Sequence, residues 1–141
     1  MAYQLSPRSI RIRAELHPEL QRLIDELINH VDFSVTEGHR GTFAQQAAFD
    51  AGLSRAKPGQ SKHNLLPAEA VHLIPYPMPE PASKDVPGSV EREWREYAYF
   101  AGAVNLCASM LGIKLRWGGD WNDNWRTVDN RFNDLQHHEI F

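Results

Sequence analysis

Residues 90–111 read VEREWREYAYFAGAVNLCASML, and this stretch decides the predicted fold. Its apolar residues recur every three or four positions, which predicts a helix with one apolar face formed by Trp94, Tyr97, Ala98, Ala101, Val104, Ala108 and Leu111. Gly112 follows the last of these residues, as glycine often does at a helix end. We expect this helix, the longest that the sequence predicts, to lie in the core.

Shorter elements flank this helix on both sides. Apolar spacing predicts a helix over residues 20–31, with Pro18 in its first turn, and another over residues 42–51, with Thr42 as its N-cap. Alternating β-forming residues predict strands over residues 33–36, 70–76, 113–117 and 137–141. Polar stretches predict loops over residues 54–66 and 118–133. Because helices and short strands alternate irregularly, the pattern favours an α+β fold over a doubly wound parallel sheet.

The composition limits the class of protein. The chain has 141 residues, 42% of them hydrophobic and 23% charged, which is typical of one globular domain, and we expect that domain to span residues 1–141. The lone cysteine, Cys107, excludes an internal disulfide and a cysteine-rich metal site, so any metal must be bound by histidines and carboxylates. The net charge of -3 gives no reason to expect nucleic acid or an anionic membrane as a partner.

The sequence also predicts where the chain is made. No stretch reaches the roughly 20 consecutive apolar residues of a membrane helix. Residues 1–13 lack the apolar core of a signal peptide. We therefore expect synthesis in the cytoplasm, without stable insertion into a membrane.

Histidines supply the candidate chemistry. His63 ends a polar loop, His72 lies in the predicted strand that follows, and His137 comes three residues after Asp134. Three ligands drawn from a loop, its strand and a distant strand are a common way to hold zinc with one position open for water. A nearby carboxylate such as Asp134 could take the proton of that water. Spacing alone leaves ordinary surface or core histidines as the alternative.

Five motifs occur in order along the chain: Glu37-Gly38-His39-Arg40, Gln45, Ser61-Lys62-His63-Asn64, Ala70-Val71-His72-Leu73-Ile74-Pro75-Tyr76-Pro77 and Asp134-Leu135-Gln136-His137-His138-Glu139. In these motifs the sequence resembles the zinc peptidase family of bacterial D-alanyl-D-alanine carboxypeptidases and phage L-alanyl-D-glutamate endolysins. Its phage members look closest, since they share the block Trp117-Gly118-Gly119-Asp120-Trp121. The resemblance covers nearly the whole chain and implies one domain in which a small antiparallel sheet packs against helices, as in Hedgehog and DD-peptidase domains.

The resemblance implies a role for each matched residue. His63 and His137 correspond to zinc ligands, and Asp134 corresponds to the general base that activates the zinc-bound water. Arg40 corresponds to the arginine that supports the substrate carbonyl and its developing oxyanion. Two further positions complete the expected site, Ser61 as a hydroxyl lining the cleft and Gln45 as a residue that either binds substrate or is structural.

His72 departs from the family pattern. Family members usually have aspartate there, and that aspartate is the second zinc ligand. Because a neutral imidazole also binds zinc, we expect His63, His72 and His137 to form a three-histidine site. The substitution leaves three interpretations open, namely an active three-histidine variant, a weakened or inactive peptidase-like protein, and a deliberately changed residue.

The family resemblance implies a zinc-dependent peptidase that cleaves the peptide stem of bacterial peptidoglycan between L-alanine and D-glutamate. We expect a monomer of the phage endolysin type, made in the host cytoplasm and acting in the periplasm or cell wall after release. One alternative is a catalytically degenerate relative that binds the wall or serves as a phage structural component. Another is a D-alanyl-D-alanine carboxypeptidase.

Overall fold

A four-stranded antiparallel sheet and four helices make up the fold in the computed structural model, which describes residues 2–127 and 132–141. The helices are α1 (Pro7–Arg13), α2 (Pro18–Leu27), α3 (Thr42–Asp50) and α4 (Ser89–Met110). The strands are β1 (Phe33–Glu37), β2 (Ala70–Pro75), β3 (Leu115–Trp117) and β4 (His137–Ile140), and a single 3₁₀ turn spans Lys62–Asn64. This arrangement confirms the predicted α+β fold. The predicted loop over residues 118–133 lies partly, at residues 128–131, outside the described residues.

The strand order β1-β2-β4-β3 brings distant parts of the sequence together. In the register of the sheet, Glu37 pairs with His72, and His72 pairs with His137. Directly opposed residues in antiparallel strands share one face of the sheet. The sheet therefore places one carboxylate and two imidazoles in a single row across three strands.

The opposite face of the sheet forms the core. Val71 and Leu73 alternate with His72 along β2 and are fully buried, as the period of two in a strand requires. They pack with the apolar faces of α2 and α4, including Leu23 and Val104. The predicted place of the long helix in the core is confirmed.

Among residues 2–127 and 132–141, no helix combines the length and apolar character that a membrane crossing needs.

Several predicted boundaries differ from those in the structure. The helix α1 was not predicted, because seven residues are too few to show a clear apolar period. The helix predicted to reach Val31 ends at Leu27, and the next residues form the turn into β1. The N-cap prediction for Thr42 is wrong, since Thr42 is already helical and the cap residue is Gly41. The strands β2, β3 and β4 are each shorter than predicted by one or two residues, which is usual at element ends.

Candidate metal centre

Three histidine side chains converge beside the sheet. His63 comes from the 3₁₀ turn, His72 from β2 and His137 from β4, and one ring nitrogen of each lies within 4.8 Å of the others. The ring centroids are 4.7 to 5.5 Å apart. The structure thus brings together the three residues predicted as metal ligands.

His63 is held by its own turn and by the strand-end backbone. The Ser61 hydroxyl caps the turn by accepting from the His63 amide, and Nδ1 of His63 lies 2.7 Å from the carbonyl oxygen of Gly38. That carbonyl can only accept, so Nδ1 carries the proton and Nε2 presents a lone pair. Burial, reinforced by the charges that His72 and His137 can carry, lowers the pKa of His63 to about 3, so the ring is neutral at pH 7.

His137 is oriented by a carboxylate in the same way. Its Nε2 lies 2.8 Å from Oε1 of Glu139, so Nε2 is the protonated nitrogen and Nδ1 presents a lone pair. The other oxygen of Glu139 accepts from Nε of Arg116 at 3.0 Å and is 2.9 Å from Nη2. Burial would raise the pKa of Glu139, but these contacts with His137 and Arg116 hold it below the ordinary value. Glu139 is therefore an ionised carboxylate that fixes the His137 ring.

His72 has its carboxylate partner on the neighbouring strand. Its Nδ1 lies 3.3 Å from Oε2 of Glu37, so this carboxylate can accept the ring proton. Its Nε2 is buried and has no hydrogen-bond partner, and the nearest carboxylate oxygen to it, Oδ2 of Asp134, is 3.4 Å away. With its proton on the Glu37 side, His72 can offer the Nε2 lone pair to the cluster.

The donor set fits a metal cation. Nε2 of His63 and Nδ1 of His137 face each other at 3.2 Å, and neither carries a proton in the tautomers that their outer partners select. Two lone pairs at that distance repel unless a cation or proton lies between them, and His72 also offers a ring nitrogen within 4.8 Å of ring nitrogens of the other two histidines. Metal-binding histidines typically donate their outer nitrogen to a carbonyl or carboxylate, as His63 and His137 do here, and Glu37 lies at ion-pair distance from the outer nitrogen of His72. The residues present can therefore hold a metal ion.

Asp134 lies at the open side of this cluster. Its Oδ2 is 3.4 Å from Nε2 of His72 and 3.9 Å from Nδ1 of His137. Burial favours the protonated acid, but the contact with His72 and the charges of the neighbouring histidines lower the pKa of Asp134 below its ordinary value.

The backbone of Asp134 lies against Gly118. The Asp134 amide donates to the carbonyl of Gly118, and a Cβ atom added to Gly118 would lie 2.0 Å from the Asp134 carbonyl oxygen. A glycine at position 118 is what lets the backbone bearing Asp134 approach so closely.

Arg40 belongs to a buried polar network behind the cluster. Its guanidinium donates twice to Glu37, at 2.7 Å each, and once to the side-chain oxygen of Gln45 at 3.0 Å. Gln45 is 0% exposed, and its amide nitrogen donates to Ser54 and to the carbonyl of Ala56. Arg40 is therefore oriented on both sides, by a carboxylate and by a buried amide.

A cleft of about 430 Å³ opens over the cluster. Five of the residues predicted for the site line it, whereas Gln45 and His72 do not; the five are Arg40, Ser61, His63, Asp134 and His137. The indole of Trp121 lies against the His137 ring, with centroids 5.0 Å apart. The cleft is large enough for a peptide segment and gives it access to His63 and His137.

Sequence reasoning missed the role of Glu37 in the site. Glu37 was singled out only as part of a motif, although its pairing with Arg40 and His72 makes it central to the network. The position of Glu37, three residues before Arg40, was a signal for the contact between these two residues. The contact between Glu37 and His72 instead depends on strand register.

His138, which alternates with His137, is fully buried on the core face, in agreement with the expectation that it points away from the cluster.

A small α+β domain whose cleft gathers three histidines able to hold a metal ion, with a carboxylate and an arginine beside them, is typical of metal-dependent hydrolases. Comparison with known proteins agrees with this class. Over residues 1–141 the sequence matches the family described as phage L-alanyl-D-glutamate peptidase, and the chain belongs to that family. The resemblance inferred from the motifs is thereby confirmed, and the chain is a member of a peptidase family.

Two relatives illustrate the similarity. The L-alanyl-D-glutamate peptidase of Escherichia phage T5 is 31% identical over 129 residues, which cover 86% of this chain and 84% of that protein. The crystal structure of the Serratia marcescens L-Ala D-Glu endopeptidase ChiX superposes with a TM-score of 0.69 at 28% identity, covering 98% of this chain and 90% of that one. Both the sequence and the fold are thus similar to those of L-alanyl-D-glutamate peptidases.

Proposed function

We propose that the chain hydrolyses the bond between L-alanine and D-glutamate in the peptide stem of peptidoglycan, with one zinc ion held by His63, His72 and His137. The observation that carries this proposal is the convergence of three histidine rings beside Asp134, at an open cleft that His63 and His137 line. Membership of the phage L-alanyl-D-glutamate peptidase family supports the choice of bond. Residues 1–141 would act as a single, monomeric peptidase domain on the cell wall after release from the cytoplasm.

Zinc is the metal that suits these ligands. Three neutral imidazoles and one position left for water are a known catalytic zinc arrangement, and no soft thiolate is available here because Cys107 is buried elsewhere, in the core. When bound, zinc acts as a Lewis acid and lowers the pKa of water.

Asp134 takes the proton in the proposed mechanism. Its carboxylate is ionised at neutral pH and lies beside the ring nitrogens that would hold the metal, so it can accept the proton of the attacking water. The same carboxylate then returns that proton to the leaving amine of the glutamate residue. The close backbone contact with Gly118 keeps the carboxylate in place during both transfers.

Arg40 stabilises the negative charge that develops on the scissile carbonyl. Its three contacts to Glu37 and Gln45 leave two of the five guanidinium N–H groups for substrate, and the side chain lines the cleft. Because Gln45 is completely buried, we assign it the role of positioning Arg40 rather than contacting substrate. Ser61 caps the turn that carries His63 and contributes to the cleft wall.

We interpret His72 as a working ligand. An aspartate ligand needs no outer partner to select a tautomer, whereas an imidazole does, and Glu37 lies directly opposite His72 to provide one. The orphaned Nε2 of His72 supports the same interpretation, since a buried ring nitrogen without a partner costs free energy unless a metal takes its lone pair.

Hydrolysis of a defined peptidoglycan fragment tests this function. Zinc-loaded protein is incubated with a disaccharide peptide, and the products are identified by mass spectrometry. We expect cleavage between L-alanine and D-glutamate, loss of activity on chelation and its return with zinc. Asp134→Asn should lower kcat by about 100-fold or more, the usual contribution of a general base, whereas the exposed control Asp50→Asn should not. Cleavage only at the terminal D-alanine, or none by folded zinc-loaded protein, would overturn the proposal.

A further inference from the structure

We propose that Asn64 is a positioning residue that clamps Arg40 to the turn carrying His63. Its side-chain amide fixes the spacing between a metal ligand and the arginine assigned to the oxyanion. This inference rests on the proposed function and adds a residue to its machinery. Asn64 is half-buried, and the part of the cleft wall that the structure describes does not include it, so Asn64 acts through Arg40 and not on substrate.

The Asn64 side chain uses its full hydrogen-bonding capacity. Its Oδ1 accepts from the backbone amides of Gly59, at 2.9 Å, and Ser61, at 3.2 Å. Its Nδ2 donates to the backbone carbonyl of Arg40 at 3.0 Å and to Oε1 of Gln45 at 3.2 Å. A side-chain amide has two N–H donors and an oxygen with two lone pairs, and all four are paired here. Because backbone amides only donate and a backbone carbonyl only accepts, these partners also fix which atom of the Asn64 amide is the oxygen.

The oxygen of Asn64 holds the turn that carries His63. Its contact with Ser61 is one half of a capping box, and the Ser61 hydroxyl accepts from the amide of His63. Its contact with Gly59 ties the preceding loop to the same oxygen. This half of the amide therefore shapes the turn of the metal ligand.

The nitrogen of Asn64 completes a clamp on the backbone of Arg40. The Arg40 amide donates to the carbonyl of His63 at 2.7 Å, and the Arg40 carbonyl accepts from Asn64. Two consecutive residues of one turn thus bind both polar groups of the Arg40 main chain. This two-point contact fixes where the arginine side chain begins relative to the His63 ring.

The same nitrogen also supports the guanidinium group of Arg40. Oε1 of Gln45 accepts both from Nη1 of Arg40 and from Nδ2 of Asn64. The amide nitrogen of Gln45 is bound to Ser54 and to the carbonyl of Ala56, which keeps Oε1 turned towards these two donors. Asn64 therefore holds Arg40 directly at the main chain and through Gln45 at the side chain. Because a misplacement of about 1 Å can cost about 100-fold in rate, a clamp on the oxyanion-stabilising group affects catalysis.

The substitution Asn64→Asp separates the two halves of the amide at nearly constant shape. The carboxylate keeps an acceptor for the two turn amides but places an oxygen against the Arg40 carbonyl and Gln45. If Gln45 keeps its orientation, two acceptors face each other. If the Gln45 amide turns over, its N–H groups meet those of Arg40. In either case the clamp on Arg40 is lost while the turn is kept.

The first measurement is solvent exchange of the Arg40 Nε–H proton by NMR, which requires no enzymatic activity. This proton is donated to Glu37, and we expect it to exchange about fivefold faster or more in Asn64→Asp, the factor that one ordinary hydrogen bond gives. In the wild-type protein both Nδ2–H protons of Asn64 should be protected from exchange. The matched control is Asn29→Asp, because Asn29 is exposed and its amide donates to the backbone carbonyl of Asp25; it should leave the exchange of Arg40 unchanged.

The second measurement is the kinetics of stem hydrolysis. We expect Asn64→Asp to lower kcat about tenfold or more and to change KM less than about threefold, because Arg40 acts on the developing oxyanion. Zinc affinity should stay within about threefold of the wild-type value, since the outer partner of His63 is kept. In an Arg40→Ala background, Asn64→Asp should change kcat less than about twofold, because the clamp then has no guanidinium to position. Single-turnover reactions with enzyme in excess measure these slow variants.

Unchanged exchange of the Arg40 Nε–H proton in Asn64→Asp would overturn the inference, as would fast exchange of the Asn64 amide protons in the wild-type protein, a result that needs no variant. An unchanged kcat, or the same fold loss of kcat with and without Arg40, would also overturn it, because Asn64 would then be a purely structural residue. If the wild-type protein hydrolyses no stem, the proposed function fails, and the exchange measurements still decide whether Asn64 positions Arg40.

Discussion

Replacing Glu139 by glutamine tests whether the outer partner of a histidine controls metal binding. Glu139 is buried, with a side chain 8% exposed, and its two oxygens accept from His137 and from Arg116. In Glu139→Gln one oxygen becomes an amide nitrogen, which cannot accept. Whichever way the amide turns, either His137 or Arg116 faces a donor instead of an acceptor.

The size of the effect follows from these contacts. A hydrogen bond to a charged group contributes about 1.5 to 3 kcal/mol, and the variant loses at least one. We therefore expect the metal-free variant to be less stable by about 2 kcal/mol. Loss of the outer partner of a metal-binding histidine typically lowers metal affinity about 10- to 100-fold, and we expect zinc affinity to fall in that range.

Competition with a chromogenic chelator measures the zinc affinity, and urea unfolding in excess chelator measures the stability of the metal-free protein. Glu96→Gln is the matched control, because Glu96 is exposed on α4 and its replacement removes the same charge. Zinc affinity of Glu139→Gln within twofold of the wild-type value would refute the idea that Glu139 orients His137 for the metal.

Three other changes test the remaining parts of the site. Gly118→Ala should lower hydrolysis at least tenfold while circular dichroism stays unchanged, because the new Cβ meets the Asp134 carbonyl; Gly102→Ala, where nothing lies within 4 Å, should remain active. Burial lowers the pKa of His138 from 6.5 to about 3, so the unfolded chain binds more protons at this residue between these pH values. The contribution of His138 to the pH dependence is therefore a loss of stability on acidification below pH 6.5, by up to about 1.4 kcal/mol per pH unit. In urea titrations from pH 7 to 5 with chelator, His138→Leu should show a smaller slope. His72→Asp should leave hydrolysis unchanged or reduced, and a large increase would identify position 72 as a degenerate ligand.

The elements that the sequence predicts well are those with a clear period. The helix α4 repeats its apolar residues through 22 residues, and each strand alternates between the core and the site. The helix α1 has only seven residues and depends on contacts with β1, which no local pattern records. The N-cap of α3 was assigned one residue too late because a glycine in extended conformation can cap a helix without a side-chain signal.

The candidate site was predictable where its residues lie in motifs that are local in the sequence. The three histidines and Asp134 occur in motifs that can be recognised along the chain, and their convergence needs only the family fold. The contact between Glu37 and His72 is different, because a register shift between Val35 and Glu37 brings Glu37 opposite His72. A bulge of this kind depends on pairing between strands that are far apart in sequence, so residue patterns within either strand do not predict it.

Zinc-edge X-ray absorption of protein loaded with one equivalent of zinc tests the central claim most directly, since it counts the imidazoles on the metal. The account predicts stoichiometric zinc with three imidazole nitrogens at about 2.0 to 2.1 Å, and the loss of one imidazole from the spectrum of His72→Ala. Failure to bind one zinc per chain, or a wild-type spectrum with only two imidazoles that is unchanged in His72→Ala, would contradict the three-histidine centre.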